Sequence, residues 1–319
     1  MTRLSHPLER LALLALLAFA FVVAIAAASP ASAGKHRGWE PVPTTVADWS
    51  GVAAALGRQG TLMSDNTVYR VSFPRRDLTV TSYGVTIKPG FALGSYAAFA
   101  RYRDGQTLLM GDLVVTEAEL EAVTDALHAH GLDQTAIHKH LLAHEPDVWW
   151  THIHGVSADP VALASAVRAA LDRTATPPPA PPAPPPALAL DTAGIDNALG
   201  ATGTNDGGIY KFTFVRDETI TMDRRVLNPA MGVTTALNFQ PTGGGRAAIN
   251  GDFVMTADEV QDVIEALRAG GIQIVELHNH ALDDEPRLFY MHFWANDDAV
   301  KLARTLRQAV DATAVHPGT

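Results

Sequence analysis

The sequence predicts an α+β fold made of two homologous repeats, each an antiparallel or mixed sheet with helices packed on one face. Two observations lead to this prediction. Segments on either side of a proline-rich stretch match each other at a spacing of about 140 residues, which indicates an internal duplication. Within each segment, β-rich runs precede a helix, two further strands and a closing helix, an order typical of sheets covered by helices.

The matching positions of the two segments fall in one register. They comprise a Gly-Asp pair, a Thr-x-x-Glu pattern, a His-x-His pattern, a Glu-Pro pair and a further histidine. In chain order they are Gly111-Asp112 and Gly251-Asp252, Thr116-x-x-Glu119 and Thr256-x-x-Glu259, His138-Lys139-His140 and His278-Asn279-His280, Glu145-Pro146 and Glu285-Pro286, and His152 and His292. So many matched positions in one register mean duplication.

The residue pattern places the same elements in both segments. The first is predicted to hold a helix over 46–56, strands over 67–73, 78–87, 95–101 and 107–115, and a helix over 116–130. Strands over 136–142 and 148–156 and a helix over 159–171 follow. The second segment is predicted to have helices over 192–199 and 297–310 and strands over 273–281 and 288–294. Thr116 and Thr256 are expected to cap helices, because a glutamate follows each three residues later.

Four regions follow from these patterns: a signal peptide at 1–33, repeat module 1 at 34–173, a proline-rich linker at 174–190 and repeat module 2 at 191–319. Arg3 and Arg10 supply positive charge before an apolar run from Leu11 to Ala28, and the small residues Ala31-Ser32-Ala33 follow the run. This order predicts a cleaved secretory signal. A retained membrane anchor is the alternative. We therefore expect an exported protein, periplasmic or secreted, with no stable membrane span after cleavage.

Charge and composition exclude several classes of function. The net charge of −10 disfavours binding to nucleic acid. The chain has no cysteine, which excludes disulfides, thiolate metal sites, cysteine nucleophiles and a lipidated cysteine. Any bound metal must therefore be held by histidine, carboxylate or water.

Histidines in the two matching windows are the candidate metal ligands. Side chains alternate along a strand, so the two histidines of each His-x-His are expected to point the same way, towards the histidine of the returning strand. The predicted ligand sets are His278, His280 and His292 in the second module and His138, His140 and His152 in the first. Clustered imidazoles suit zinc or another divalent transition metal. The alternative is that these histidines are structural residues of the sheet.

Several further residues are candidates of lower weight. Glu145 and Glu285 precede prolines in the turn between the histidine-bearing strands and could act as a general base or orient a ligand. Asp112 and Asp252 could reach a site from a strand end, although a turn residue is the more common role. The match of His144 to Asp284 favours a solvated turn residue, and the match of His154 to Trp294 makes it a weaker ligand candidate. Core packing is the default for the aromatic residues of the last hairpins, which are Trp149, Trp150, Phe289, Tyr290 and Trp294.

The segment from Leu277 to Trp294, which reads LHNHALDDEPRLFYMHFW, resembles the hallmark of an uncharacterised bacterial family named after the mycobacterial lipoproteins LppY and LpqO. The preceding GDFVMT at 251–256 and the weaker first copy resemble it too, so the resemblance covers nearly the whole exported part. It implies export and a duplicated module. The absence of a lipidated cysteine departs from the namesakes.

The leading hypothesis is an exported two-repeat protein that binds a transition metal, with zinc first by the ligand types, and that as an enzyme would carry out metal-assisted hydrolysis of an envelope substrate. The alternatives are a metal-free module that binds an envelope ligand and a structural scaffold. The expected partner is a small molecule or a cell-envelope component, with the oligomeric state and the contact between the repeats left open.

Overall fold

The computed structural model describes residues 39–181 and 183–318, so the predicted signal peptide lies outside the described residues. We call residues 39–173 repeat 1 and residues 191–318 repeat 2. Repeat 1 opens with a 3₁₀ turn at Val46–Trp49. Its helices and strands are α1 (Ser50–Leu56), β1 (Thr61–Met63), β2 (Val68–Pro74), β3 (Val80–Ser82), β4 (Val85–Ile87), α2 (Pro89–Ala92), β5 (Gly94–Arg101), β6 (Thr107–Thr116), α3 (Glu117–Ala129), β7 (Asp133–His138), β8 (His144–Glu145), β9 (Val148–Ser157) and α4 (Pro160–Leu171).

Repeat 2 has counterparts of the other helices and strands in the same order, with a 3₁₀ turn at Pro229–Met231 in the place of α2 and one strand added at its end; among its described residues the opening 3₁₀ turn of repeat 1 has no counterpart. They are α5 (Thr192–Leu199), β10 (Thr204–Asp206), β11 (Ile209–Arg216), β12 (Thr221–Met222), β13 (Arg225–Val226), β14 (Thr234–Gly243), β15 (Arg246–Met255), α6 (Val260–Ala269), β16 (Gln273–His278), β17 (Asp284–Glu285), β18 (Phe289–Asp298), α7 (Ala299–Asp311) and β19 (Val315–Pro317). The duplication inferred from the sequence is therefore present in the secondary structure.

Each repeat is built on one antiparallel sheet. The strand order is β1-β2-β5-β6-β9-β7 in repeat 1 and β10-β11-β14-β15-β18-β16 in repeat 2, where β19 also pairs with β11. Each repeat also has a small sheet, β4-β3-β8 in repeat 1 and β13-β12-β17 in repeat 2. It joins the segment after β2 or β11 to the turn before β9 or β18. The predicted α+β class with antiparallel sheets is confirmed.

Alternating residues of the central strands separate two faces of each sheet. In β6, Leu109 and Leu113 pack with the residues of α1, α3 and α4, whereas Leu108 and Met110 belong to a different core. In β15, Ile249 and Phe253 likewise pack with α5, α6 and α7. Because side chains alternate along a strand, these six helices cover the outer face of each sheet, as the sequence predicted, whereas the short α2 packs in an inner core through Phe91 and Ala92.

The inner faces of the two sheets pack against each other. One core joins Ala98, Met110 and other repeat 1 residues to Val254 and Tyr290 of repeat 2. A second core joins Trp150 of repeat 1 to residues of repeat 2 that include Ile209, Ala248 and Trp294. The sequence left open whether the two repeats contact each other. In the described residues they do, because they share buried apolar cores.

A buried arginine ties the ends of each repeat together. The Arg75 side chain is fully buried, donates to the backbone oxygen of Val114, and lies 2.8 Å from both Asp77 and Glu119. In repeat 2, Arg216 donates to the oxygen of Val254 and pairs with Glu218 and Glu259. These arginines were not singled out from the sequence, although Arg75-x-Asp77 and Arg216-x-Glu218 fall in the repeat register.

The linker runs without helix or strand over its described residues, as its prolines require. Repeat 1 holds its start, because Arg58 and Arg76 donate to the backbone oxygens of Pro177 and Pro178, both at 2.7 Å. Repeat 2 holds its end, because Asn205 donates to the oxygen of Pro186 at 2.8 Å. In the described part of the chain, no helix combines the length and apolar character needed to cross a bilayer.

Candidate metal centre

Four site residues lie on the inner faces because of their position along the central strands. In repeat 1, Asp112 on β6 faces its register partner His152 on β9. In repeat 2, Asp252 on β15 has the same relation to His292 on β18. Each of the four is two residues from an inner-face neighbour such as Met110 or Trp150, and the alternation of a strand then points it inwards.

The His-x-His motifs span the ends of the edge strands β7 and β16. His138 and His278 are the last residues of these strands, and His140 and His280 lie two residues beyond them. The predicted strands over 136–142 and 273–281 were therefore too long at their ends. As a consequence, His140 and His280 are positioned by loop structure and not by strand alternation.

The six candidate ligand histidines, three from each repeat, form one cluster. The rings of His138 and His278 stack across the repeat boundary, with centroids 4.0 Å apart. Two further contacts cross the boundary, between His140 and His292 with centroids at 3.9 Å and between His152 and His280 at 3.8 Å. The Nε2 atoms of His138 and His140 are 3.0 Å apart.

Hydrogen bonds between the repeats fix the loops that carry the cluster. Asn250 donates to the backbone oxygen of His140 at 2.6 Å, and Thr135 donates to that of His280 at 2.6 Å. The carboxylate of Glu276 accepts from the backbone N–H of Lys139 at 2.7 Å. Each His-x-His loop is therefore held by the other repeat.

Burial leaves several polar atoms of the cluster without a hydrogen-bond partner. His138 is fully buried, and the exposed fractions of His152, His280 and His292 are 5%, 6% and 3%. The buried and unpartnered side-chain atoms of the cluster are Nδ1 of His138, Nε2 of His152, both ring nitrogens of His278, Nε2 of His280, Nε2 of His292, and Oδ1 of Asp112 and of Asp252. Buried polar atoms without partners are rare in folded proteins and call for an explanation such as a bound ion.

Two of the histidines are oriented by backbone carbonyls. Nδ1 of His280 lies 2.9 Å from the oxygen of Gly232, and Nδ1 of His292 lies 2.7 Å from the oxygen of Gly251. A neutral imidazole that donates through Nδ1 carries its free lone pair on Nε2, which makes no hydrogen bond in either residue although Asp252 lies 3.0 Å from that of His280. This is how proteins commonly orient a histidine that ligates a metal.

The electrostatic environment keeps the imidazoles neutral. Burial, and then the neighbouring imidazoles, hold the pKa values of His138 and His278 well below the ordinary value. Burial also lowers the pKa of His140 and His152, and it lowers the pKa of His280 and His292 to about 4. At neutral pH these rings are therefore available as neutral nitrogen donors.

The two aspartates contact the cluster from opposite repeats. Asp112 lies 3.4 Å from Nε2 of His140, and Asp252 lies 3.0 Å from Nε2 of His280 and 3.9 Å from Nδ1 of His292. Burial raises the pKa of Asp252 to about 7, against the opposing effect of His292. The sequence pattern favoured a role for these two aspartates in turns, whereas the structure brings both carboxylates close to the histidines.

Three combinations of these side chains offer ligand atoms that all lie within 4.8 Å of one another. They are His138 with His278 and His292, His152 with His278 and His280, and Asp112 with His138 and His152. The first two draw on both repeats. The sequence predicted one set inside each module, whereas these groups combine five of the six histidines across the modules and leave His140 out.

Other residues singled out from the sequence lie apart from these groups. Glu145 on β8 and Glu285 on β17 are exposed, and each pairs with a strand of its small sheet, facing Thr81 and Thr221. His154 lies on β9 with its ring 3.8 Å from Asp133. Neither glutamate belongs to a metal-capable group among the described residues.

The prediction that His144 is solvated is wrong. Its exposed fraction is only 9%, because its Nε2 lies 3.2 Å from the backbone N–H of Val148 and closes the turn. Asp284 does the same in repeat 2, where its carboxylate accepts from the N–H of Leu288 at 3.1 Å. The match between a histidine and an aspartate therefore reflects a shared turn-closing role.

The aromatic residues of the last hairpins serve mainly as packing. Trp150, Tyr290 and Trp294 are buried, as the default interpretation expected. Trp150 stacks on His140 with centroids at 4.5 Å, and Tyr290 stacks on His280 at 3.3 Å. Trp150 and Tyr290 therefore each pack directly on one histidine of the cluster, a role that the sequence pattern did not reveal.

Comparison with known families agrees with this duplicated architecture. The model of a family described as Domain of Unknown Function (DUF1259) matches the chain twice, over residues 50–173 and 193–312. The chain belongs to this family. Both matches coincide with the repeats, which supports the prediction of an uncharacterised two-repeat domain. No curated protein sequence matches the chain.

Comparison with solved structures yields only weak likenesses. The trimeric bacterial microcompartment shell protein PduB is 13% identical, with 76% of this chain and 86% of that chain covered and a TM-score of 0.18. EtuB from Clostridium kluyveri is 10% identical, with 82% and 96% covered and a TM-score of 0.20. A double-ringed trimeric shell protein of the RMM microcompartment is 14% identical, with 65% and 82% covered and a TM-score of 0.17. Scores this low carry no argument about fold or assembly.

Proposed function

We propose that this chain is an exported protein that binds a divalent transition metal, with zinc as the first candidate, in the histidine cluster shared by its two repeats. The observation that carries the proposal is the set of buried imidazole nitrogens that have no hydrogen-bond partner and converge on one another. A metal ion would accept the lone pairs of these nitrogens and remove the cost of burying them.

The distances are compatible with a metal after small movements. Two nitrogens bound to a tetrahedral zinc, each about 2.0 Å away, are about 3.3 Å apart. The ligand atoms of the three groups lie within 4.8 Å of one another, so rotations of the side chains bring them into range. Neutral imidazoles without any thiolate suit zinc, copper, nickel or iron.

The proposal is limited to metal binding. Glu145 and Glu285 are exposed and outside the ligand groups, so the structure gives no support to their predicted catalytic roles. Hydrolysis of an envelope substrate, and a small molecule or cell-envelope component as partner, remain predictions from the sequence. Export is supported by the leader pattern of residues 1–33, and a chain in the LppY/LpqO-like family would share that location.

The test is the metal content of the chain produced with its own leader and purified without an affinity tag or chelator. We expect about one or two equivalents of metal per chain by elemental analysis. Replacement of both stacked histidines, in the double variant His138→Gln with His278→Gln, should remove it. The control variant His128→Gln alters an exposed histidine of α3 and should leave the metal content unchanged.

Two outcomes would overturn the proposal. One is wild-type protein that contains no metal and shows no rise in melting temperature on addition of zinc, copper or nickel. The other is a double variant that is folded by circular dichroism and keeps the wild-type metal content.

A further inference from the structure

Building on the proposed function, we propose that the cluster is a binuclear centre. Each of its two ions would be held by three histidines drawn from both repeats, and the carboxylates of Asp112 and Asp252 would bridge the two ions. The argument rests on how the six rings divide and on where the two carboxylates lie.

The first triad consists of His152 from repeat 1 and His278 and His280 from repeat 2. Its ring centroids are 3.8 Å apart between His152 and His280, 5.1 Å between His278 and His280, and 5.7 Å between His152 and His278. One nitrogen from each ring lies within 4.8 Å of the other two. Three nitrogens at such distances form the protein part of a four-coordinate site.

The second triad consists of the matching residues with the repeats exchanged, which are His292, His138 and His140. Its centroid distances are 3.9 Å between His140 and His292, 4.9 Å between His138 and His140, and 5.3 Å between His138 and His292. These distances reproduce those of the first triad to within half an ångström. The two triads share no residue and have matching ring arrangements. In the second triad, His138 and His292 offer ligand atoms within 4.8 Å of each other, and Nε2 of His140 lies 3.0 Å from Nε2 of His138.

The closest contacts of the returning-strand histidines favour this division over one site inside each repeat. These contacts cross the boundary to the second histidine of the motif, with His152 and His280 at 3.8 Å and His140 and His292 at 3.9 Å. The first histidine of the motif is shared more evenly, because its ring lies 4.7 and 4.8 Å from the returning strand of its own repeat and 5.3 and 5.7 Å from that of the other. Because His140 and His280 lie beyond the strand ends, each approaches the opposite sheet.

Asp112 contacts both triads, and Asp252 contacts the first and lies beside the second. Asp112 forms a metal-capable group with His152 of the first triad and His138 of the second. Asp252 is 3.0 Å from Nε2 of His280 in the first triad and 3.9 Å from Nδ1 of His292, the nitrogen bonded to Gly251, in the second. Oδ1 of each aspartate is buried and unpartnered. A carboxylate that reaches two sites in this way is placed to bridge two ions about 3.5–4 Å apart.

The test combines metal titration with X-ray absorption. Wild-type protein, stripped with a chelator and titrated with zinc, should bind two equivalents, and its absorption spectrum should contain a metal–metal distance. The double variant His152→Gln with His280→Gln removes two ligands of one triad and should keep one ion. The double variant His280→Gln with His292→Gln damages both triads and should keep none. The half-buried histidine His154 lies outside both triads, and His154→Gln should keep two ions.

The outcomes separate this inference from the function on which it rests. The reverse pattern for the two double variants would assign one site to each repeat and overturn the division proposed here. A single equivalent in the wild type, without a metal–metal distance, would overturn the binuclear centre and leave metal binding intact. No bound metal in the wild type would overturn both.

Discussion

The inner face of repeat 1 presents an aspartate and three histidines to the centre of the molecule, and repeat 2 presents an aspartate and three histidines at the matching positions. The surroundings differ. His154, Trp150, Tyr96 and His144 of repeat 1 are matched by Trp294, Tyr290, Ala236 and Asp284 of repeat 2. Neighbouring positions have thus diverged in size and polarity while the potential ligands have not. The comparison teaches that the cluster depends on its donor atoms, whereas the packing around it accepts several solutions.

A second shared feature is the arginine clamp, which we define as Arg75 with Asp77 and Glu119, and Arg216 with Glu218 and Glu259. The glutamate of each clamp also accepts a hydrogen bond from a backbone N–H three residues earlier, that of Thr116 or Thr256, at the start of the helical segment. Its other oxygen accepts from the chain just after the last helix, at Ala175 and Ala314. Each clamp therefore joins three distant parts of its repeat, and both repeats use it in the same way.

Loss of a clamp arginine is expected to have the largest effect on stability. Arg75→Ala and Arg216→Ala each remove a buried side chain and leave the half-buried Glu119 or Glu259 without its arginine, which costs about 3–5 kcal/mol of unfolding free energy. The cost should be similar in the two repeats. Urea denaturation of the metal-stripped protein measures it, with the exposed Arg304→Ala as a control that stays within about 0.5 kcal/mol.

A clear difference between the two arginine variants would break the equivalence of the repeats. A cost below about 1 kcal/mol for either one would show that its clamp is replaced by solvent contacts after the substitution.

The next largest loss of stability is expected when the glycine before each aspartate, Gly111 or Gly251, is replaced by alanine. A Cβ on Gly111 would lie 2.5 Å from the backbone oxygen of Tyr96, and a Cβ on Gly251 would meet the oxygen of Ala236 at still closer range. Neither backbone can move freely inside a paired sheet. We expect both alanine variants to cost about 1–3 kcal/mol, with Gly251→Ala the more destabilising.

Thermal denaturation of the two glycine variants measures this difference. Gly94→Ala is the control, because its Cβ would meet only the oxygen of Pro89 at 3.8 Å, an ordinary contact. Equal costs for Gly111 and Gly251 would show that the two strand pairs relax to the same spacing.

The sequence predicted the duplication and the antiparallel sheets because both follow from local periodicity and from matches in one register, and the same matches singled out the six histidines as candidate ligands. It did not predict how the histidines combine. His140 and His280 lie past the ends of their strands, so strand alternation does not fix where they point. The packing of one inner face on the other is a long-range property that the pattern within a repeat does not contain. The clamps could have been found, since Arg75-x-Asp77 and Arg216-x-Glu218 also match in register.

The smallest expected effect is the acid dependence of the two clamps. Burial alone would raise the pKa of Glu119, but hydrogen bonds from Arg75 and from the N–H groups of Thr116 and Ala175 outweigh it and lower the pKa below 4.5. Glu259 is lowered in the same way by Arg216 and by the N–H groups of Thr256 and Ala314. A carboxyl whose pKa is lower in the folded state stabilises the fold above its unfolded pKa, and this contribution is lost as the pH falls through the folded value.

The free energy of unfolding should therefore stay level for these groups from neutral pH down to about 5 and fall below about 4.5. Glu119→Gln and Glu259→Gln should each be less stable at neutral pH and lose less stability on acidification. Urea denaturation at a series of pH values gives both slopes. If the two glutamines flatten the profile equally, the clamps act alike in both repeats; if only one does, the other glutamate owes its stabilising role to hydrogen bonding that survives protonation.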